Sequence, residues 1–248
     1  MFPIDHDTVD RLLAEMGIAN IETATIRQIC TLADRLEKLA QDNMVHLEMG
    51  NPGLPASQIG IDAECAALQG GLPNKYPNIA GVAELKEAGS RFIKAFANVD
   101  IPGRCIVPTV GSMQGSFTMM MLLNRRIKGK DTMLFINPGF PAQHNQAKVL
   151  GLKEASFDLY DYRGAKLEAK LEEILSKGNI TGILYSNPNN PAWTNFTEEE
   201  LSIIGRLATK YDAIVLEDHA YFGMDFRTNY GTPWEPPYMP TVARYTDN

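Results

Sequence analysis

No stretch of this sequence approaches the roughly 18 consecutive apolar residues that a membrane-spanning helix needs, so no membrane partner is expected. Basic residues are the scarcer sign, with 23 Lys and Arg against 30 Asp and Glu and a formal charge of −7. That balance argues against nucleic acid and anionic bilayers, since both call for a basic face. It leaves room for a local pocket that takes a phosphorylated small molecule. Cysteine is sparse too. Cys30, Cys65 and Cys105 are odd in number and share no CxxC spacing. They read as buried thiols in a reducing cytoplasm, not as a disulfide frame or a zinc site. The opening MFPIDHDTVDRL holds three Asp and no basic segment, so no secretory signal is expected. Without export, the sequon Asn195-Phe196-Thr197 carries no weight.

What is present is enough apolar material, 44% of 248 residues, for a sizeable core in one or two domains. The first 45 residues are helical in character. Ile26, Ile29, Leu32, Ala33, Leu36 and Leu39 recur at helical spacing in a segment that ends near Asn43. MGNPGLPASQIG, dense in Gly and Pro, reads as a loop. From about residue 81 a repeating order sets in. Helices are predicted over 81–99, 112–127, 142–151, 163–178 and 197–212. Short strands are predicted over 104–110, 131–136, 152–159, 180–186 and 213–218. This alternation is that of βαβ units, an α/β fold whose mostly parallel sheet has helices on both faces. Such sheets bind ligands at the carboxyl ends of their strands. After Asp218 the pattern degrades into a tail with four prolines, and there are no internal repeats.

Four loops after predicted strands stand out. In Thr109-Val110-Gly111-Ser112-Met113-Gln114, a tight turn at Gly111 leads into a helix whose first N–H groups suit a phosphate, although the loop taken alone reads first as an ordinary N-cap at Ser112. In Asn137-Pro138-Gly139-Phe140-Pro141, an aromatic ring sits between turn-formers, either to stack on a planar ligand or to plug the core. Ser186-Asn187-Pro188-Asn189-Asn190-Pro191 is a stiff turn that aims amide side chains, whether for a ligand or for the turn itself. In Glu217-Asp218-His219-Ala220-Tyr221, an apolar run delivers an acid to the end of what reads as a central strand, where an unpaired carboxylate is costly. Metal binding by Asp218 and His219 is the weaker alternative, for want of a second ligand cluster.

Together, and in this order, the loops resemble the class I/II aminotransferases of fold type I, over about Glu48 to Tyr221. MGNPGLP is similar to the substrate-side loop of that family, which implies a substrate role for Gly50. Tyr76 of YPNIAG matches a Tyr that reaches the cofactor phosphate of the neighbouring subunit, which implies a homodimer. GSMQG matches the phosphate loop, NPGFP the ring-stacking loop, NPNNP the Asn-Pro turn and DHAY the Asp-x-x-Tyr pair. The resemblance implies pyridoxal 5′-phosphate as cofactor. Ser112, Met113 and Tyr76 would hold its phosphate, Phe140 its ring plane, Asn190 and Tyr221 its ring hydroxyl and Asp218 its ring nitrogen; Asn190 also faces substrate. An anionic Asp218 would keep that nitrogen protonated, as electron withdrawal by the ring requires.

The implied reaction moves an amino group between an amino acid and a 2-oxo acid. Alternatives are a lyase or decarboxylase of the same superfamily, or a non-catalytic module that keeps the fold. Residues 1–50 would belong to a small domain and 51–248 to an incomplete large, cofactor-binding domain. Three departures are plain. Ala192-Trp193 stand where the family has Thr-Gly, and Met113 stands where polar residues are common. No lysine follows Lys210, so the lysine that forms the family's Schiff base is absent from these residues. Lys75, Lys128 and Lys148 sit in charged, surface-like contexts and are poor replacements. The sequence therefore reads as an N-terminal part of such an enzyme, catalytically inactive by itself and cytoplasmic.

Overall fold

Strand formation is dictated most clearly by TMLFIN and ITGILYS, bounded by residues that break the pattern. The computed structural model describes residues 4–41, 43–50 and 53–248. Two compact units emerge, 1–75 and 76–248, dividing later than the 50/51 boundary of the sequence reading.

The first unit holds helices α1 (His6–Glu15), α2 (Ile26–Ala40) and α3 (Gln58–Gln69). The Asp5 carboxylate caps α1 by accepting from the Thr8 N–H at 2.7 Å. Thr25 and Gln28 close a reciprocal capping box on α2. Ile4, Leu12, Leu32 and Leu36 form a small core, while Ile26 and Leu39 of the predicted α2 face are exposed. Helix α3 went unpredicted, because its start lies inside the segment read as loop. None of its residues is buried, so it lacks the one-sided stripe that periodicity detects.

In the second unit the order is α4 (Ala83–Ala97), α5 (Gly111–Arg126), β1 (Thr132–Asn137), α6 (Pro141–Val149), β2 (Lys153–Asp158), α7 (Ala165–Leu175), β3 (Ile180–Ser186), α8 (Glu198–Lys210) and β4 (Ile214–Asp218). All strand pairs are parallel, in the order β2-β1-β3-β4. Alternate side chains feed two cores, one on each face of the sheet. Leu134, Ile136, Ile183 and Tyr185 pack with Leu167 and Leu171 of α7 and Leu201 and Ile204 of α8. Met133, Phe135 and Leu184 pack with Met120 and Leu123 of α5 and Ala147 of α6. The chain builds β1 and β2 outward and then crosses back to lay β3 on the other side of β1. The strand order therefore switches between β1 and β3, the place where open α/β sheets leave a crevice at their carboxyl ends.

Two sequence expectations fail here. Residues 104–110 form no strand: Gly103–Cys105 is a turn of 3₁₀ helix, and the following segment pairs with nothing. Pro108 lacks an N–H for a ladder, and Val107 and Val110 lie exposed instead of facing a core. Nor is β4 central. Among the described residues it pairs with β3 on one side only, and its outer edge receives the tail, through Val215 N–H to the Asn248 carbonyl at 3.4 Å.

Candidate functional site

Parallel strands end together, so the turns after β1, β3 and β4 gather on one side of the sheet. Below them lies a cavity of about 480 Å³, bordered by Ser112 and Ser116 of α5, Gln143 of α6, Leu184 of β3, Asp218 of β4 and His219. Gln143, in the first turn of α6, is 1% exposed, and its Nε2 donates to Asp218 Oδ2 at 2.8 Å. The Ala220 N–H donates to Asp218 Oδ1 at 3.1 Å. Two donors thus hold the carboxylate in direction while it still borders the cavity. Gln143 was missed by sequence reasoning, since one amide in a helix leaves no mark in periodicity or motif.

The start of α5 settles one open alternative. Its N-cap is Val110, whose side chain caps nothing, and Ser112 stands two residues later inside the helix. Gly111 takes φ +73, and a Cβ there would meet nothing within 4 Å. The Val110 N–H is taken by Gln114 Oε1 at 2.6 Å and the Gly111 N–H by the Thr109 carbonyl at 3.0 Å, so it is at Ser112 and Met113 that the helix opens without a side-chain cap, beside an open cavity, an arrangement that suits an anion. Ser112 lines the cavity. Met113 does not, and its carbonyl accepts from Gln146 Nε2 at 2.8 Å.

Phe140 precedes α6 and is 37% exposed, which removes the core-plug reading. Asn190 is half-buried, its N–H donating to Ser186 Oγ at 3.1 Å. Tyr221 meets the edge of Trp193, with ring centroids 5.5 Å apart. Trp193 holds φ +54, a conformation costly for a bulky residue, and its other side stacks on Phe226. Tyr76 is fully exposed. The cavity thus unites Ser112 and Asp218, whereas Met113, Phe140, Asn190, Tyr221 and Tyr76 lie off its lining. Gly50 is exposed in the N-terminal unit, and Asn51 and Pro52 of its loop lie outside the described residues.

Glu217 was missed as well, because an acid inside an apolar run resembles its neighbour Asp218. Its side chain is 6% exposed. Burial pushes its carboxyl up, but hydrogen bonds from His219, Thr241 and the Val242 N–H outweigh that and hold it below the ordinary value. His219 shows the complement. Burial pushes its imidazole down, yet the Glu217 carboxylate and the Asn187 carbonyl raise it above the ordinary value.

Among the described residues no three His, Cys, Asp or Glu side chains are grouped to hold a metal, so Asp218 and His219 find no further ligand. The cysteines depart from expectation: all are free thiols, but Cys65 and Cys105 are exposed and Cys30 is only half-buried. No helix among the described residues is long and apolar enough to cross a membrane.

The chain is 26% identical over 216 residues to a probable aspartate aminotransferase of Methanocaldococcus jannaschii, covering 87% of this chain and 54% of the relative. It is 27% identical over 202 residues to an aspartate aminotransferase of Pyrococcus horikoshii, covering 81% and 49%. A solved aminotransferase from Mycobacterium tuberculosis superposes with a TM-score of 0.71 at 21% identity, over 89% of this chain and 54% of that one. The chain thus spans about half the length of the proteins it matches. The model of the family described as aminotransferase class I and II, whose cofactor is pyridoxal 5′-phosphate, matches residues 42–247. The chain belongs to that family.

Proposed function

We propose that these residues form the cofactor-holding part of an aminotransferase that moves an amino group between an amino acid and a 2-oxo acid. The observation that carries this reading is one cavity bordered both by Asp218, braced by buried Gln143, and by the uncapped start of α5 at Ser112. A cationic ring nitrogen and a phosphate are the two ends of pyridoxal phosphate, and the cavity offers a partner for each. When bound, the cofactor supplies the electron withdrawal that loosens bonds at the amino acid's α-carbon.

The protein's own residues bind and orient. Asp218 would hold a proton on the ring nitrogen, and N–H groups of Ser112 and Met113 would take the phosphate. Phe140, Asn190 and Tyr221 stand on or beside turns that flank the cavity, and the reading gives them the ring face and ring hydroxyl. Gly50 and Asn190 are assigned to substrate. Residues 1–50 are read as small domain and 51–248 as large domain. Lys75, Lys128 and Lys148 are exposed, and no lysine follows Lys210. These residues are assigned cofactor binding, and none of the three exposed lysines borders the cavity.

Asp218→Ala in the whole protein tests the reading. Turnover should vanish while the circular dichroism spectrum is kept; near-unaltered turnover would overturn the role of Asp218. Tyr76 supports a homodimer, because its fully exposed ring is free to serve a neighbouring subunit. Sedimentation should give a dimer, and an active, cofactor-loaded monomer would count against it.

A further inference from the structure

Glu217 and His219 form a densely bonded, partly buried group outside the residues just assigned. Glu217 Oε1 accepts from Asn187 Nδ2 at 3.1 Å. Glu217 Oε2 accepts from Thr241 Oγ1 at 2.6 Å and from the Val242 N–H at 3.0 Å, with His219 Nε2 also 3.0 Å away. His219 Nδ1 lies 2.8 Å from the Asn187 carbonyl oxygen. A carbonyl oxygen only accepts, so Nδ1 carries a hydrogen. The other nitrogen faces a carboxylate held ionised by its remaining donors, so Nε2 carries one too. The partners on the two sides of the ring therefore assign an imidazolium.

One oxygen of Glu217 ties the pair to the tail at Thr241 and Val242, while its other oxygen and the far side of the His219 ring both grip Asn187. That residue's N–H donates to the Asp218 carbonyl at 3.0 Å, and its Oδ1 accepts from the Phe196 N–H at 3.3 Å. All four polar groups of Asn187 are thus engaged, three of them by consecutive residues of the β4 end. From Asn187 the bonding runs on across the switch point. Ser186 Oγ accepts from the Asn190 N–H, and Asn189 Nδ2 donates to the Pro138 carbonyl at 2.7 Å, reaching the loop that carries Phe140.

We propose that Glu217 and His219 are positioning residues, a partly buried ion pair that fixes the Asn187–Pro191 turn, and with it Asn190, against Asp218. What they position rests on the cofactor reading above; that they are an ion pair clasping Asn187 does not. Both residues also border the cavity, so substituting the clasp trims that wall as well as freeing the turn, and what marks the clasp is the pH-dependent placement of Asn190 against Asp218.

Other groups face the pair. Asp218 follows Glu217 on β4 and helps to raise the His219 pKa. Tyr185 of β3 is fully buried, and burial pushes its phenol well up, so it stays neutral. Asp100, Cys105 and Asp247 line the cavity of about 690 Å³ that both residues border on the other side. Phe222 presents its ring edge-on to His219 at 5.5 Å. From α5 and α6 the nearer cavity receives only uncharged side chains, among them Ser112, Ser116 and Gln143. The sign of the pH effect follows. His219, raised above 6.5, contributes fully below 6.5 and loses its contribution as pH rises through the raised value; Glu217, lowered below 4.5, loses its contribution only in acid.

The test uses the whole protein, ¹⁵N-labelled at histidine, with Glu217→Gln, His219→Ala and His219→Gln. At pH 6 the His219 signal should show both ring nitrogens protonated, and a neutral ring would overturn the ion pair whatever the cofactor does. Equilibrium titration with pyridoxal phosphate is the second readout. Glu217→Gln and His219→Ala should each weaken binding by about tenfold, the loss of one charge-assisted hydrogen bond. His219→Gln keeps two N–H donors and should restore binding near pH 6 while losing one step of the unaltered protein's pH profile. A role in stability alone would lower Tm without removing that step. Unaltered binding in His219→Ala, or an unchanged profile in His219→Gln, would overturn the positioning role by itself. Failure of the unaltered protein to bind pyridoxal phosphate would instead overturn the cofactor reading, and the positioning role with it.

Discussion

Strands β3 and β4 lie side by side, in register from Gly182 against Ile214 to Ser186 against Asp218, yet they live in different surroundings. All seven residues of β3 are buried, whereas all five of β4 are half-buried. The difference follows from position in the sheet. β3 has a strand on each side and a helical layer on each face, while β4 has a strand on one side only. The better-protected strand supplies rigidity, and the less-protected one supplies the acid. Asp218 remains within reach of a cavity because its strand is not sealed.

The largest effect should come from hollowing out the protected strand. Ile183 is 0% exposed and stands within the α7/α8 core. Ile183→Ala should cost about 3–4 kcal/mol, the transfer and cavity terms of a buried aliphatic truncation. Urea denaturation of the protein should show this as a lowered midpoint. A loss under about 1 kcal/mol would mean that the core relaxes around the gap, and that β3 is less decisive than its burial suggests.

The sequence made the protected half of the contrast legible and left much of the other half unread. ITGILYS is apolar along its length, so β3 was predicted with its observed bounds, and the helices that flank it were placed within a few residues. Residues 104–110 misled because β propensity describes fitness for a sheet, not the presence of a partner, and here no strand lies alongside. The same blindness to neighbours made β4 read as central. At the site, residue types found in motifs were easy to see, as with Asp218 at a strand end. Gln143 and Glu217 act through contacts across many residues of sequence, and no local pattern encodes those.

A middle-sized effect is expected where α8, the connection from β3 to β4, begins. Glu200 is 1% exposed and accepts from Arg163 Nε and Nη2, both at 2.7 Å, from the Gly164 N–H at 2.8 Å and from the Thr197 N–H at 3.0 Å. Burial pushes its carboxyl up, but these donors outweigh it and the pKa lies below the ordinary 4.5. Its contribution is therefore present above about pH 4.5 and is lost as pH falls through the lowered value. Glu200→Gln should cost about 1–2 kcal/mol at pH 7, since the buried carboxylate loses its charge toward Arg163, whose own side chain is 37% exposed and screened by solvent. The gap from the unaltered protein should narrow on acidification. A gap that stays constant from pH 7 to pH 3 would show that packing, not charge, sets the value of Glu200.

The smallest effect should fall on the less buried member of the pair, and it is the sharpest check of the contrast. Val215 stands directly opposite Ile183 in the register and packs against the same α7/α8 core, but only partly. Its N–H reaches the Asn248 carbonyl at 3.4 Å, a long hydrogen bond that a side-chain truncation leaves untouched. Because the side chain is half-buried, Val215→Ala should forfeit part of the apolar transfer and leave little cavity, costing about 1 kcal/mol or less. The ratio between neighbours then carries the result, because both are aliphatic truncations to alanine at paired positions of one sheet. If Val215→Ala proves as damaging as Ile183→Ala, β4 is as protected as β3 in solution. The openness that leaves Asp218 at a cavity would then have to come from the turn after the strand, not from the strand's place at the edge.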